Sequence, residues 1–257
     1  MSAHDIEVKR IGAAQILRFN RPLKKNALTT GMYAALADAL EEGERDDRLA
    51  VHVFMGTGGV FTAGNDIAEF LASSSDDGAS LMNVLRFISL LPHIEKPMIA
   101  GVDGLAVGVG ATLLFHCDMV LATPEARFQT PFVDLGLVPE AGSSLLMPQR
   151  LGYARAFEML VLGHVMTAER MREAGLVNAI VDAGELESSV QRLAMALAAK
   201  PPEALRLSRA LMRGDTKALA RRVEEEAEIF AKRLRSPEAR EAFHAFLEKR
   251  PPDFRRG

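Results

Sequence analysis

The chain has a single cysteine in 257 residues, which excludes an intramolecular disulfide framework. It has no excess of one charge either. Thirty-one Lys and Arg stand against 34 Asp and Glu, a net of -3, so no strong field marks the chain for nucleic acid or for an anionic membrane surface. The longest apolar run, Leu105 to Phe115, is rich in glycine and falls far short of the roughly 20 residues of a membrane-spanning helix. The opening Met1-Ser2-Ala3-His4-Asp5-Ile6 lacks a basic region followed by an apolar core, so no secretory signal is expected. The ending Phe254-Arg255-Arg256-Gly257 carries no peroxisomal tripeptide. Cys117 sits in the apolar run Leu113-Leu114-Phe115-His116-Cys117 and reads as a buried, inert thiol. A soluble, cytoplasmic chain with neither nucleic-acid nor membrane partner is the simplest expectation.

Several motifs are missing too. No glycine-rich run ends in Gly-Lys-Ser or Gly-Lys-Thr, and Gly108-Val109-Gly110 lacks the third glycine of a dinucleotide fingerprint. There is no Gly-x-Ser-x-Gly elbow, and Ser143 and Ser144 read as caps of the helix that follows. The six histidines show no metal-ligand spacing, so no metal site is expected. Asp103, Asp118 and Asp134 interrupt apolar contexts, where turn or helix-capping roles are the commoner explanation.

What is present has an alternating pattern. With 48% hydrophobic and 25% charged residues, the length suits one large domain or a domain with a small appendage. Ile6 to Ile11 and Gln15 to Phe19 read as a hairpin around Gly12. A helix is expected from Thr29 or Thr30, with Met32, Leu36, Ala39 and Leu40 on one face. Val51 to Met55, Met98 to Val102 and Met119 to Ala122 read as buried strands. A second helix is expected over Leu81 to Leu91, a mobile segment over Ala72 to Ser80, and a buried helix through Phe115. Strands alternating with helices over the first 130 residues predict an α/β core with parallel strands. After Gly142 the chain turns mostly helical, with one strand candidate at Val177 to Val181. Asp215 to Leu234 carries the stripe Leu219, Val223, Ala227, Phe230 and Leu234, and a last helix starts with Ser236 as N-cap and Pro237. Pro201-Pro202 marks a boundary between a core, 1–200, and a helical tail, 201–257.

Three glycine-bearing loops follow strand candidates, Gly56 to Asp66, Gly104 to Gly110 and Thr130 to Gly142, where ligands gather in open α/β folds. Glycine there allows close backbone approach, as a site made of main-chain N–H donors requires; tight turns alone would explain each loop equally. Glu140 lies in the apolar segment Leu135-Gly136-Leu137-Val138-Pro139-Glu140-Ala141-Gly142. Desolvation there would raise its pKa and suit a proton shuttle. Local sequence alone favours the plainer reading, an exposed glutamate in a helix first turn.

Taken in order, several segments resemble the crotonase (enoyl-CoA hydratase/isomerase) superfamily along nearly the whole chain. They are Asn20-Arg21-Pro22 with Lys25-Asn26-Ala27-Leu28, Phe61-Thr62-Ala63-Gly64-Asn65-Asp66-Ile67, Lys96-Pro97 with Ile99-Ala100-Gly101-Val102, Cys117-Asp118, Leu135 to Pro139, and Gly175-Leu176-Val177-Asn178. The resemblance implies a crotonase-like spiral of ββα units with a helical C-terminal oligomerisation region, packed as a homotrimer or hexamer. It implies an acyl-CoA thioester substrate whose carbonyl is polarised by the backbone N–H groups of Asn65 and Val109. Lys25, Ala27, Ala63, Gly64, Asp66, Ile67 and Leu137 would line the substrate and CoA path, Lys25 meeting phosphate or ribose. Coenzyme A enters as part of the substrate, and no separate cofactor is implied. Hydratases of the family carry two glutamates where this chain has Thr112 and Phe132. Thr130-Pro131-Phe132, Pro139-Glu140 and Ser143-Ser144 are instead similar to the peroxisomal type of Δ3,Δ2-enoyl-CoA isomerase, in which the glutamate after the proline is the base. The expectation is therefore an enoyl-CoA isomerase of fatty-acid oxidation with Glu140 as its catalytic residue. Another crotonase activity, such as hydration, and a non-catalytic acyl-CoA-binding protein are the alternatives.

Overall fold

The computed structural model describes residues 5–69 and 79–254. The mobile segment expected over Ala72 to Ser80 falls outside the described residues as far as residue 78, and parts of both chain ends do as well.

A hairpin of β1 (Ile6–Ile11) and β2 (Ala14–Phe19) opens the chain and pairs antiparallel. Helix α1 (Thr30–Arg45) follows, its N-cap Thr29 accepting the Met32 N–H. Met32, Leu36, Ala39 and Leu40 are buried at helical spacing. Then come β3 (Val51–Gly56), α2 (Ala79–Leu90) and β4 (Met98–Val102). In β3 and β4 almost every side chain is buried on both faces, the mark of an interior parallel strand. After β5 (Leu105–Val107) and α3 (Val109–Thr112) the chain rejoins the sheet as β6 (Met119–Ala122). The main sheet has the order β1-β2-β3-β4-β6-β9, all parallel beyond the hairpin, with β9 (Ala179–Ile180) at the far edge. β5 pairs parallel with β7 (Arg127–Gln129), which pairs antiparallel with β8 (Met166–Thr167), making a second, small sheet.

Helices complete the layers: α4 (Ser143–Leu151), α5 (Tyr153–Leu160), α6 (Ala168–Glu173), α7 (Ala183–Ala198), α8 (Pro202–Arg213), α9 (Thr216–Leu234) and α10 (Pro237–Glu248). On one face of the main sheet Leu186, Val190 and Ala194 of α7 cover Ile16, Val53 and Ile99. The larger core, on the other side, joins Phe19, Leu36, Phe54 and Phe115 to Val223, Phe230, Leu234 and Phe243 from α9 and α10. The last helices thus share the core of the first 200 residues. Ser236 caps α10 by accepting the Ala239 N–H, and Pro237 takes the first helical position.

Three local expectations are corrected. The buried helix through Phe115 is one α-helical turn, Val109–Thr112, tightening into a 3-10 turn, Leu113–Phe115. The chain has only that length before Asp118 N–H must bond Met98 O and re-enter the sheet. The strand at Val177 to Val181 shortens to Ala179–Ile180, because the Asn178 side chain takes the Val120 N–H and ends the ladder. Asp118 is no cap: it ion-pairs with the buried Arg209 at 2.8 Å and accepts the Met98 N–H, tying α8 to the sheet.

Candidate active site

The site is built where two glycine-bearing loops touch. Thr62 donates its N–H to Leu105 O at 2.9 Å, and Val107 returns one to Thr62 O at 3.0 Å, so the loop after β3 runs as a strand beside β5. Gly64 has φ +84°, and a Cβ there would lie 2.9 Å from Val107 O. Only glycine lets the backbones approach this closely. Asn26, fully buried, fixes the loop from below by donating to Thr57 O and Val60 O at 3.0 and 2.7 Å.

This contact brings Asn65 and Val109 to the same cavity. Neither residue's main-chain N–H donates to any group among the described residues. For Val109 the cause is its place as first residue of α3, where helical N–H groups have no partner. Asn65 is also held through its side chain, because the buried Tyr33 hydroxyl donates to Asn65 Oδ1.

The cavity measures about 520 Å³ and is mostly apolar, with Phe132, Phe230, Phe243 and Phe246 in its wall. Glu140 is the buried carboxylate that lines it. It is neither exposed nor within a helix; 7% of its surface remains accessible and α4 starts only at Ser143. The first-turn reading is therefore corrected: Ala141 and Gly142 take left-handed conformations, φ +55° and +73°, and turn the carboxylate inward. Burial pushes its pKa up from 4.5 to about 7, against the Thr112 hydroxyl, which donates to Oε1 at 2.5 Å, and with help from the charge of Glu226. Glu140 in turn adds to the burial that raises the Tyr33 phenol.

Ala63, Gly64, Asn65, Ile67, Val109, Leu137 and Glu140 come together around the cavity. Lys25, Ala27 and Asp66 do not line it. Lys25 is exposed in a left-handed turn, its carbonyl accepting the Ala63 N–H, and Asp66 is ion-paired with Arg21 at 2.7 Å. Nor do the serines cap α4 as expected. Ser143 Oγ donates to Glu140 O, and the N–H groups of Gly142 and Ser144 go to the Glu226 carboxylate.

Tyr33 and Glu226 join the site from outside the residues expected there. Each carried a signal: Tyr33 is one of two tyrosines and lies on the apolar face of α1, and Glu226 is an acid on the apolar stripe of α9. Burial pushes the Cys117 thiol up to about 12, consistent with an inert side chain. Among the described residues no group of His, Cys, Asp and Glu is placed to hold a metal ion, and no helix is long and apolar enough to cross a membrane.

The enoyl-CoA hydratase/isomerase family matches residues 11–257, all but the first ten. The chain belongs to that family, within the crotonase superfamily. It is 35% identical over 244 residues to 1,2-epoxyphenylacetyl-CoA isomerase of Escherichia coli K12, covering 93% of each chain. It is also 35% identical over 247 residues to enoyl-CoA delta isomerase 2 of Rattus norvegicus, covering 93% of this chain but only 62% of that protein's length. The solved enoyl-CoA hydratase/isomerase of Pseudoalteromonas atlantica T6c superposes with a TM-score of 0.91 at 38% identity, covering 97% of this chain and 99% of that one. The fold is the crotonase fold, and the chain is an acyl-CoA enzyme of that family by descent.

Proposed function

We propose that this crotonase-family protein is an enoyl-CoA isomerase that moves a 3-enoyl-CoA double bond to the 2-position with Glu140 as its one acid-base group. The observation that carries the reading is Glu140 itself: a buried carboxylate with its pKa raised to about 7, lining the same apolar cavity as the two free N–H groups of Asn65 and Val109.

The thioester oxygen would sit on those two N–H groups, and the C2 proton would face Glu140. Glu140 takes that proton, and the electron pair moves into a dienolate whose negative oxygen the N–H donors stabilise. The carboxylic acid returns the proton at C4, the C2–C3 double bond forms and the carbonyl is restored. A pKa near neutrality serves both halves, since the group must release as readily as it accepts. No electron leaves or enters the substrate, so the step balances without a redox cofactor.

Thr112 and Phe132 argue against efficient hydration. Both are buried, neither exchanges protons at neutral pH, and Thr112 is occupied in holding Glu140. The C-terminal helices leave Leu207, Leu211 and Met212 exposed, which supports assembly as a homotrimer or hexamer.

Mixing the purified protein with a 3-enoyl-CoA and, separately, a 2-enoyl-CoA tests the reading. The conjugated thioester absorbance should grow with the first, and mass spectrometry should show no added water on the second. Rapid water addition to the 2-enoyl ester, without isomerisation of the 3-enoyl ester, would make the hydratase alternative correct.

A further inference from the structure

Among the described residues only two carboxylates are buried, Glu140 and Glu226, and they meet on one turn. Glu226 lies on the buried stripe of α9, three residues after Val223 and four before Phe230. An acid there is costly unless its charge is matched by donors. The donors are main-chain. Oε2 accepts the Gly142 N–H at 2.6 Å, and Oε1 accepts the Ser144 N–H at 2.9 Å.

The left-handed pair Ala141 and Gly142 makes the turn from which these two N–H groups converge on one carboxylate. A non-glycine residue in that conformation is strained, so something must hold Ala141 there. His116 does so from one side, with Nε2 2.7 Å from Ala141 O. Glu226 does so from the other. Since Glu140 immediately precedes this turn, both contacts decide where its carboxylate points.

We propose that Glu226 is a positioning residue for Glu140: from α9 it locks the turn that carries Glu140 and sets a second negative charge behind it. The inference rests on reading Glu140 as the base. The groups facing Glu140 are the Thr112 hydroxyl from α3, the Tyr33 phenol from α1 and Glu226 from α9. His116, on the far side of the turn, is held neutral by burial, its pKa down to about 3. Arg222, also on α9, bonds Ser144 Oγ at 3.3 Å and faces Glu226. Through Glu226, which does not line the cavity, α9 therefore acts on proton transfer. A shift of α9 would move the base and change its proton affinity together.

The test uses the full chain labelled with 13C at glutamate side-chain carboxyls, the Glu140 signal being assigned by its loss in Glu140→Gln. In Glu226→Gln the charge is removed at nearly constant shape, so the Glu140 midpoint should fall from near neutrality by roughly one pH unit. kcat should drop roughly 10-fold with KM within about twofold. In Glu226→Asp the charge stays but the carboxylate is withdrawn, so the midpoint should hold while kcat falls. An unmoved midpoint in Glu226→Gln, or wild-type kcat in Glu226→Asp, overturns the proposal. If thermal melts show Glu226→Gln unfolded, Glu226→Asp carries the test alone. Full turnover by Glu140→Gln would instead overturn the isomerase reading, to which the NMR midpoint is indifferent.

Discussion

The Thr112 hydroxyl donates to Glu140 Oε1 at 2.5 Å from a position with no exposed surface. The resemblance to hydratases would put a glutamate at this place. Here the side chain that could have been a second acid instead stabilises the ionised form of the first. Thr112→Val keeps the shape and removes that donor, so the Glu140 pKa should rise above about 7. A hydrogen bond to a charged group contributes ~1.5–3 kcal/mol, so the acidic limb of kcat/KM should move up by about one pH unit or more. Thr112→Ser should restore the wild-type profile. An unshifted limb in Thr112→Val would mean another group carries the pH dependence.

Glu140 should also make the fold pH-dependent. Its folded pKa, about 7, lies above the ordinary 4.5, so its contribution to stability is fully present below pH 4.5 and is lost as pH rises through 7. The rise corresponds to ~3 kcal/mol of penalty on the ionised form. Glu140→Gln should therefore melt higher than wild type at pH 8.5 and match it near pH 4.5, while losing about 10²–10⁴-fold in turnover and keeping its affinity for a CoA ester. Equal melting at both pH values would show that Glu140 is not desolvated in solution.

The hydrogen bond by which Tyr33 reaches the site is to Asn65. Tyr33→Phe leaves the half-buried Asn65 amide without this donor, at a cost of about 1 kcal/mol, the low end for an unpaired group. With Asn65 freer, its N–H is less well aimed, and kcat should fall roughly 10-fold with little change in KM. Steady-state kinetics on a 3-enoyl-CoA decide this. A rise in KM alone would place Tyr33 in binding rather than in aiming the oxyanion donor.

The alternation of buried strands and amphipathic helices was legible because each period is local: Val51 to Met55 and the α1 stripe lie in the structure where the pattern put them. The meeting of Gly64 with Val107 was not legible, since it depends on a bond between loops more than 40 residues apart. Glu140 shows the same limit. Its segment permits either an exposed first turn or a buried base, and what separates them is the left-handed turn at Ala141, held by His116 and Glu226 from distant elements. Lys25 shows a different limit: far from the Gly64 loop in sequence, it touches that loop by its carbonyl, yet its side chain lies outside the cavity wall.

Arg209 is where the C-terminal helices are fastened. Its Nε meets Asp118 at 2.8 Å, and its Nη1 donates to Ile94 O and Glu95 O at 2.6 and 3.0 Å. Arg209→Met would leave Asp118 and two carbonyls short of a cation, and breaking such a pair costs about 3–5 kcal/mol when fully buried. Asp118 keeps 25% of its side-chain surface exposed, so a loss of about 2–3 kcal/mol is the expectation, read by urea denaturation. An unchanged midpoint would mean that α8 is held by packing alone.

Gly64→Ala isolates the contact on which the oxyanion site depends. The new Cβ would meet the Val107 carbonyl, a backbone atom that cannot rotate away, at 2.9 Å, and the residue would have to keep φ +84°. Strain alone is not a specific signal, so Gly59→Ala serves as the control. Gly59 has φ +71°, but its nearest neighbour would be Asp103 Oδ2 at 3.9 Å, so that change adds strain without pushing the loops apart. Both variants should lose about 1 kcal/mol or more of stability. Only Gly64→Ala should displace the Asn65 N–H from Val109, and loss of one oxyanion donor costs about 10²–10³-fold in kcat. If the two variants lose turnover equally, or if Gly64→Ala keeps it, then the spacing of Asn65 and Val109 is not what polarises the substrate, and the carbonyl must be held elsewhere in the cavity.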